Sequence, residues 1–247
     1  MEILVLEPPK DVLQFGPVRQ LQTVDELMAW QEWKYPQEAL ATSGMALREK
    51  RSEYQQMLAR FGAIGQGLRY GDPAIFAIFE GGNVASAGSA YQLTTYGQDS
   101  HFPGHTPYAR IDDAATDSKF INKGLNTAIT VARVQWARQH QLPWVQTSIH
   151  FSKKASLQAK LNVGFLVYDV YADMVRVVYP LDFNSVSKQG IQPNFSILNG
   201  DDIPVSDTSE FVNKLTTAFG VVSSASSRST GLFVRMIPRD FGRPREI

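Results

Sequence analysis

Gly124 stands where phosphate chemistry is cheapest for a protein to build, at the start of a segment with helical spacing. From 124 to 140, Leu125, Ala128, Ile129, Ala132 and Trp136 recur on one face. A helix start carries N–H groups without internal partners and a partial positive charge, and a residue without Cβ lets a phosphate come close. Lys119 and Lys123 would add charge at the same end. A glycine there can also simply relieve crowding, and exposed lysines are commonly solvated, so the surrounding elements must decide. Two further titratable features lie nearby in the chain order. Asp112 and Asp113 are neighbours in a segment that reads as a strand, so at most one can face a given side. His150, whose charge changes near neutral pH, ends a segment of period two, 144–150, with Val145, Thr147 and Ile149 on one face.

Composition narrows the chemistry. The 247 residues contain no Cys, which removes disulfides, thiolate nucleophiles, Cys-ligated zinc and iron–sulfur clusters together. Catalysis must use oxygen or nitrogen groups. Lys plus Arg, 24, equals Asp plus Glu, 24, so the overall charge draws the chain neither to nucleic acid nor to an anionic membrane. The first ten residues lack a basic stretch, and their apolar run stops at Glu7 and two prolines, unlike a secretory signal. No apolar run approaches the roughly 18 residues of a membrane span. The simplest expectation is a cytoplasmic protein.

Other spacings carry less. His101 and His105 are four apart, but Pro103 and Gly104 between them argue for a loop, and only Asp99 is near as a further ligand. Gly62, Gly65, Gly67 and Gly71 follow a helical segment, the reverse of a dinucleotide fingerprint. Neither a Gly-x-Ser-x-Gly elbow nor a Walker sequence occurs.

The elements that would position these residues alternate between helical and period-two spacing. A short strand at 18–21 precedes Thr23 and Glu26, the spacing of a capping box, and a helix through Trp33. A second helix is expected over 45–61, with Leu47, Tyr54, Leu58 and Phe61 on one face. PAIFAIFE at 73–80, the turn Gly81-Gly82-Asn83 and the run 84–96 read as a hairpin. A polar loop leads to a strand at 108–116, then the helix that begins at Gly124. After the strand 144–150 come a short helix at 154–162 and strands at 165–172 and 174–179.

This succession, with Lys123-Gly124 opening the long helix and Gly164-Phe165 closing the short one, resembles the GCN5-related N-acetyltransferases (GNATs) over about residues 17–180. The resemblance implies an α/β (α+β) fold, a mixed and mostly antiparallel central sheet flanked by helices, with a C-terminal extension. The family's loop Arg/Gln-x-x-Gly-x-Gly/Ala holds the coenzyme A pyrophosphate on backbone N–H groups. The matching stretch is Ile121-Asn122-Lys123-Gly124-Leu125-Asn126, in which Gly124 fits and Ile121 and Asn126 depart.

Acetyl-CoA or another acyl-CoA is therefore the expected co-substrate. In the family the fourth and fifth strands part and pair with the pantetheine arm. By position this assigns Ala114, Ala115 and Thr116 to the cofactor-facing strand end, where an N–H can polarise the thioester carbonyl. The family's strand carboxylate, the general base, falls on Asp112 or Asp113. Its usual acid, a Tyr on the short helix, is replaced by Lys160, leaving Tyr168, a water or His150 to move protons. Lys153 and Lys154 are placed to hold the adenosine 3'-phosphate. Tyr91, Tyr96 and Phe102 would border the acceptor, a small-molecule or peptide amine.

Residues 181–247 lie beyond the family core and are too few to fold alone. They contain a turn-rich stretch, 184–204; a helix capped by Asp207 and Glu210, with Phe211, Leu215, Ala218 and Phe219 on one face, ending at Gly220; a Ser-rich link; and a strand at 231–237. The expectation is a domain over 1–180 with this extension packed on it as a cover, a homodimer contact or an added sheet edge. Two other functions compete with acyl-CoA transfer to an amine. One is a catalytically inactive binding or assembly module on the same fold. The other is transfer from an acyl carrier protein or aminoacyl-tRNA; tRNA use would call for a basic face that the neutral composition does not advertise.

Overall fold

Glu26 closes the capping box that its spacing from Thr23 requires. In a computed structural model, which describes residues 15–34, 52, 74–94, 107–171, 173–182, 202–204, 213, 218–222 and 233–238, helix α1 spans Val24–Lys34. The Glu26 N–H donates to Thr23 Oγ1 at 3.3 Å, while Glu26 Oε2 accepts from the N–H groups of Thr23 and Gln22 at 3.2 and 3.0 Å. Arg19 pairs with the same carboxylate and lies over the Phe79 ring.

The chain divides into two compact units, Met1–Leu93 with Arg110–Gln135, and Thr94–Ala109 with Trp136–Ile247. The first unit contains β1 (Arg19–Gln20), β2 (Ala74–Glu80), β3 (Asn83–Thr94) and most of β4 (Pro107–Thr116), in the order β1-β2-β3-β4. The β2–β3 turn is tight because Gly81 and Gly82 both adopt positive φ, 56° and 83°, which costs a glycine little. Register pairs Ala77 with Ala87 and Phe76 with Gly88. Leu21, Val24, Leu27 and Trp30 form one apolar cluster with Ile75, Ala77 and Ala87, so α1 covers the face carrying those side chains.

Gly88 faces the other way. A Cβ there would lie 2.8 Å from an Arg133 terminal nitrogen and 3.1 Å from Ile129 Cγ2, both on α2 (Leu125–Gln139). The two helices therefore sit on opposite faces of β2 and β3.

The second unit contains β5 (Trp144–His150), α3 (Lys154–Val163), β6 (Leu166–Tyr171), β7 (Met174–Pro180), β8 (Asp202–Pro204), β9 (Ala218–Val222) and β10 (Phe233–Pro238). Their order is β5-β7-β6-β9-β10-β8, with antiparallel pairing at each step. Tyr108, in the part of β4 that belongs to this unit, stacks on Trp144 with ring centroids 5.8 Å apart. Helix α3 stops at Gly164, whose φ of 102° is left-handed, with N–H bonds from Gly164 and Phe165 back to Leu161 and Lys160.

One reading of the C-terminal segment is corrected. Ala218, Phe219 and Gly220, expected to finish a helix, lie in strand β9. Gly220 sits opposite Val167 of β6 and Met236 of β10, so it is a ladder position and not a helix cap. Local spacing favoured a helix, but two neighbouring strands supply the backbone partners that a strand needs, and Val221 and Val222 suit a pleated surface. Part of the turn-rich stretch is likewise strand β8, paired with β10. The expected helix at 45–61, the glycines at 62–71, and Tyr96, His101, Phe102 and His105 lie outside the described residues, apart from Ser52, which is helical. Among the described residues no helix is long and apolar enough to cross a membrane.

Candidate functional site

A short 3-10 turn, Ser118–Phe120, delivers the chain from β4 to α2. Asp117 anchors it: its N–H donates to the Ala85 carbonyl at 2.9 Å and its carboxylate accepts from the Lys119 N–H at 2.9 Å. Asn122 and Gly124 then both take positive φ, 67° and 74°. The first helical hydrogen bond runs from Ala128 to Gly124, and the first turn of α2 contains no acidic residue that would compete with a bound anion. Ile121, Asn122, Lys119 and Lys123 are exposed, Gly124 and Asn126 are half-buried, and Leu125 is buried. A side chain of 55% exposure at Ile121 is unusual for its type, and it projects from the loop that precedes the helix.

The last residues of β4 are held to β3 by side chains. Ser86 Oγ donates to the Ala115 carbonyl at 2.9 Å and lies 2.9 Å from Thr116 Oγ1. Since the single Ser86 proton is used on Ala115, the Thr116 hydroxyl is the donor in that second bond. Ala114 is exposed, and Ala115 and Thr116 are half-buried.

Asp112 is the hub of a cluster in the same unit. Its carboxylate accepts from Tyr91 Oη at 2.5 Å and from Arg110 Nε at 3.0 and 3.2 Å. Its backbone carbonyl accepts from Ser89 Oγ at 3.1 Å and from the Arg133 guanidinium at 3.0 Å. Arg133 is only 1% exposed and also donates to the carbonyls of Ser89 and Ile129 and to Thr130 Oγ1. A charged side chain is tolerated there because its N–H groups meet backbone oxygens, and because Gly88 leaves the space. The backbone of Asp113 lies in β4 beside Asp112.

In the second unit His150 is exposed at the end of β5, bonded on both ring nitrogens. Nδ1 accepts from the Ser152 N–H at 3.1 Å and lies 2.7 Å from Ser152 Oγ; Nε2 lies 2.6 Å from Asp173 Oδ2. Tyr168 is 2% exposed, and its hydroxyl accepts from Gln146 Nε2 at 2.6 Å. The β6–β7 register shifts between Val167 and Asp169, so Tyr168 is the extra residue of a bulge, which re-aims it across β7 toward β5. Gln146 Oε1 is buried with no hydrogen-bond partner. Lys153 and Lys154 are exposed at the start of α3, and Lys160 is buried within it.

The expected site residues thus fall into groups. Asp112 and Ala114–Thr116 are built onto β3, Asn122–Asn126 form the mouth of α2, and His150 and Lys153 share the turn after β5. Sequence reading missed Arg133, Arg110, Ser152, Asp173 and Gln146. A signal existed for two of them: Arg110 shares a strand face with Asp112 at a spacing of two, and Ser152 follows His150 at the spacing of a side chain–backbone turn.

No family model matches the chain, and no curated protein matches it. Solved structures do. One is an acetyltransferase of the GNAT family from Streptococcus pneumoniae, 11% identical, covering 66% of this chain and 98% of that one with a TM-score of 0.46. Another is the Bacillus subtilis N-acetyltransferase YlbP in complex with coenzyme A, 15% identical, covering 66% and 95% with a TM-score of 0.41. A third is a ribosomal-protein-alanine N-acetyltransferase from Brucella melitensis, 14% identical, covering 66% and 99% with a TM-score of 0.43. From β1 to β7 the described elements run β1-α1-β2-β3-β4-α2-β5-α3-β6-β7, the order expected from the sequence apart from the helix at 45–61, which lies outside the described residues.

Proposed function

We propose that the protein is an N-acyltransferase that moves an acetyl or similar acyl group from acyl-CoA to a primary amine, on a small molecule or a peptide, by direct attack. The observation that carries this reading is the mouth of α2. Two left-handed positions, Asn122 and Gly124, separated by Lys123, lead into a helix whose first turn has no carboxylate and whose approach carries Lys119 and Lys123. Such a mouth suits a diphosphate, which needs converging N–H donors and no competing negative charge.

When bound, acyl-CoA would supply an activated thioester carbonyl. Asn122, Lys123, Gly124, Leu125 and Asn126 would hold its diphosphate, and Lys153 its 3'-phosphate. The strand end at Ala114, Ala115 and Thr116 would receive the pantetheine arm, with an N–H there polarising the carbonyl.

Proton transfer from the amine is assigned to Asp112, Asp113 or His150. Asp112 has the most developed setting, since Tyr91 and Arg110 fix its carboxylate and Arg133 fixes its backbone. Tyr168 keeps its own proton while accepting from Gln146, as an acid for the departing thiolate must.

Calorimetry with acetyl-CoA tests the reading. Saturable binding is expected, with Gly124→Glu weakening it by about tenfold or more through charge and bulk at the helix mouth. Absence of binding to acetyl-CoA, longer acyl-CoA and free coenzyme A would instead favour an assembly module, a reading that the exposed Ile121 and the buried Lys160 also serve. Turnover on an amine panel follows. Full activity after separate replacement of Asp112, Asp113 and His150 would reject the proton-transfer assignment.

A further inference from the structure

The turn after β5 and the turn between β6 and β7 join three side chains in one hydrogen-bonded line. Ser152 Oγ lies 2.7 Å from His150 Nδ1, and His150 Nε2 lies 2.6 Å from Asp173 Oδ2. Backbone contacts clamp this line at both ends. His150 is the register partner of Met174, the Phe151 N–H donates to the Asp173 carbonyl at 3.0 Å, and the Lys153 N–H donates to the His150 carbonyl at 2.8 Å. The three groups are therefore brought together by the β5–β7 ladder and not by chance approach of long side chains.

The donors settle which ring nitrogen carries the proton. The Ser152 backbone N–H also points at Nδ1, at 3.1 Å, and an amide nitrogen can only donate. Nδ1 is therefore the bare acceptor, and Nε2 carries its proton toward Asp173. The Ser152 hydroxyl, aimed at the same lone pair, is a donor too. The line reads hydroxyl, imidazole, carboxylate: a nucleophile, its base, and the group that orients the base. The ring nitrogens are exchanged relative to the familiar serine hydrolase arrangement, which changes nothing in the proton inventory.

All three residues are open to a ligand. Ser152 is exposed, and the His150 and Asp173 side chains are 44% and 64% accessible. An ion pair so exposed contributes little by charge alone. Its worth lies in fixing the tautomer and in receiving the imidazolium once Nδ1 is protonated and the Ser152 N–H bond is lost.

We propose that Ser152 is an acylatable nucleophile, with His150 as its base and Asp173 as the residue that positions His150, acting on activated acyl esters and thioesters. Ser152 Oγ bonds to the acyl carbon while its proton passes to His150 Nδ1. The bond from that carbon to the leaving oxygen or sulfur breaks, and the leaving group takes the proton from Nδ1. An ester on Ser152 remains. Water then attacks it as His150 accepts a water proton, the carboxylic acid departs, and the same proton returns to Ser152 Oγ. The scheme needs no oxidant, metal or amine and goes beyond the coenzyme A reading, since it uses neither Gly124 nor Asp112.

The test uses the full chain with p-nitrophenyl acetate, following nitrophenolate release and then locating the adduct by intact mass and peptide mapping. One acetyl group on Ser152 is expected, absent in Ser152→Ala and formed about 100-fold more slowly in His150→Gln. Asp173→Asn is expected to slow acylation about tenfold without changing half-saturation, with partial recovery in Asp173→Glu. Circular dichroism and urea midpoints equal to those of the parent keep these variants interpretable. Acetyl groups found on lysines alone, no adduct at all, or labelling of Ser152 indifferent to His150→Gln would each overturn the proposal. Because the probe has no nucleotide, this result stands whether or not acetyl-CoA binds.

Discussion

Arg133 and His150 are each held by hydrogen bonds from two directions, yet one is sealed and the other lies open. Around Arg133 the guanidinium meets three backbone carbonyls and one hydroxyl at 1% exposure. Around His150 the partners are a turn residue two positions on and a carboxylate with most of its surface in water. The difference separates stability from reactivity. Buried acceptors that lose a donor bear the full cost of having left water, whereas solvent replaces a partner lost at the surface. The Arg133 node is thus expected to hold β3, β4 and α2 together, and the His150 line to tune chemistry without holding the fold.

The sharpest way to break this contrast is Arg133→Met, which leaves the carbonyls of Ser89 and Asp112 without that donor. A loss of about 3–5 kcal/mol is expected by urea denaturation. A loss below about 1 kcal/mol would mean that water reaches those oxygens and that the node is not sealed.

Gly88→Ala attacks the same node from β3. Its Cβ would fall 2.8 Å from an Arg133 terminal nitrogen and 2.9 Å from Cζ, so the guanidinium must move off its acceptors. About 1–3 kcal/mol is expected, shrinking when Arg133 is already Met. A double-mutant cycle measures that coupling, and strict additivity would sever the link between the two residues.

A smaller effect belongs to the half-exposed cap of α1. Thr23→Ala should cost about 1 kcal/mol. Burial pushes the Glu26 carboxyl upward, but the N–H groups of Gln22 and Thr23, with Arg19 and the Thr23 hydroxyl, outweigh it and hold the group below its ordinary value. A depressed folded pKa means that this stabilisation is present above the unfolded pKa and is lost as pH falls through the folded one. Denaturation midpoints in acid and at neutrality should therefore converge in Glu26→Gln relative to the parent. The least effect is expected for Ser152→Ala, within about 0.5 kcal/mol of the parent. A larger loss would show that the His150 line is structural after all.

Local chemistry made much of the scaffold legible. Thr23 with Glu26, the Gly81–Gly82 turn, Gly124 before α2 and Gly164 after α3 each act within a few residues, so their spacing alone predicts a cap, a turn or a helix end. The end of one expected helix, Ala218 to Gly220, misled for the opposite reason: a helical period was present, but partners from β6 and β10, distant in sequence, claimed Ala218 to Val222 for the sheet. Site residues were legible as types and not as settings. Asp112 stood out as a carboxylate on a strand, while nothing local showed that Tyr91, Arg110 and Arg133 would converge on it.

By itself the sequence determined the order of helices and strands across the hairpin, α2, β5 and α3, together with the glycine that opens α2, because periodicity and capping are short-range. It also removed thiol chemistry outright, since no Cys is present. Only the tertiary structure decided that Arg133 is buried beneath Gly88, that a bulge turns Tyr168 toward Gln146, and that Asp173 meets His150. Those outcomes depend on strand register, and register is fixed by which faces are buried and which strands pair, information spread over the whole chain.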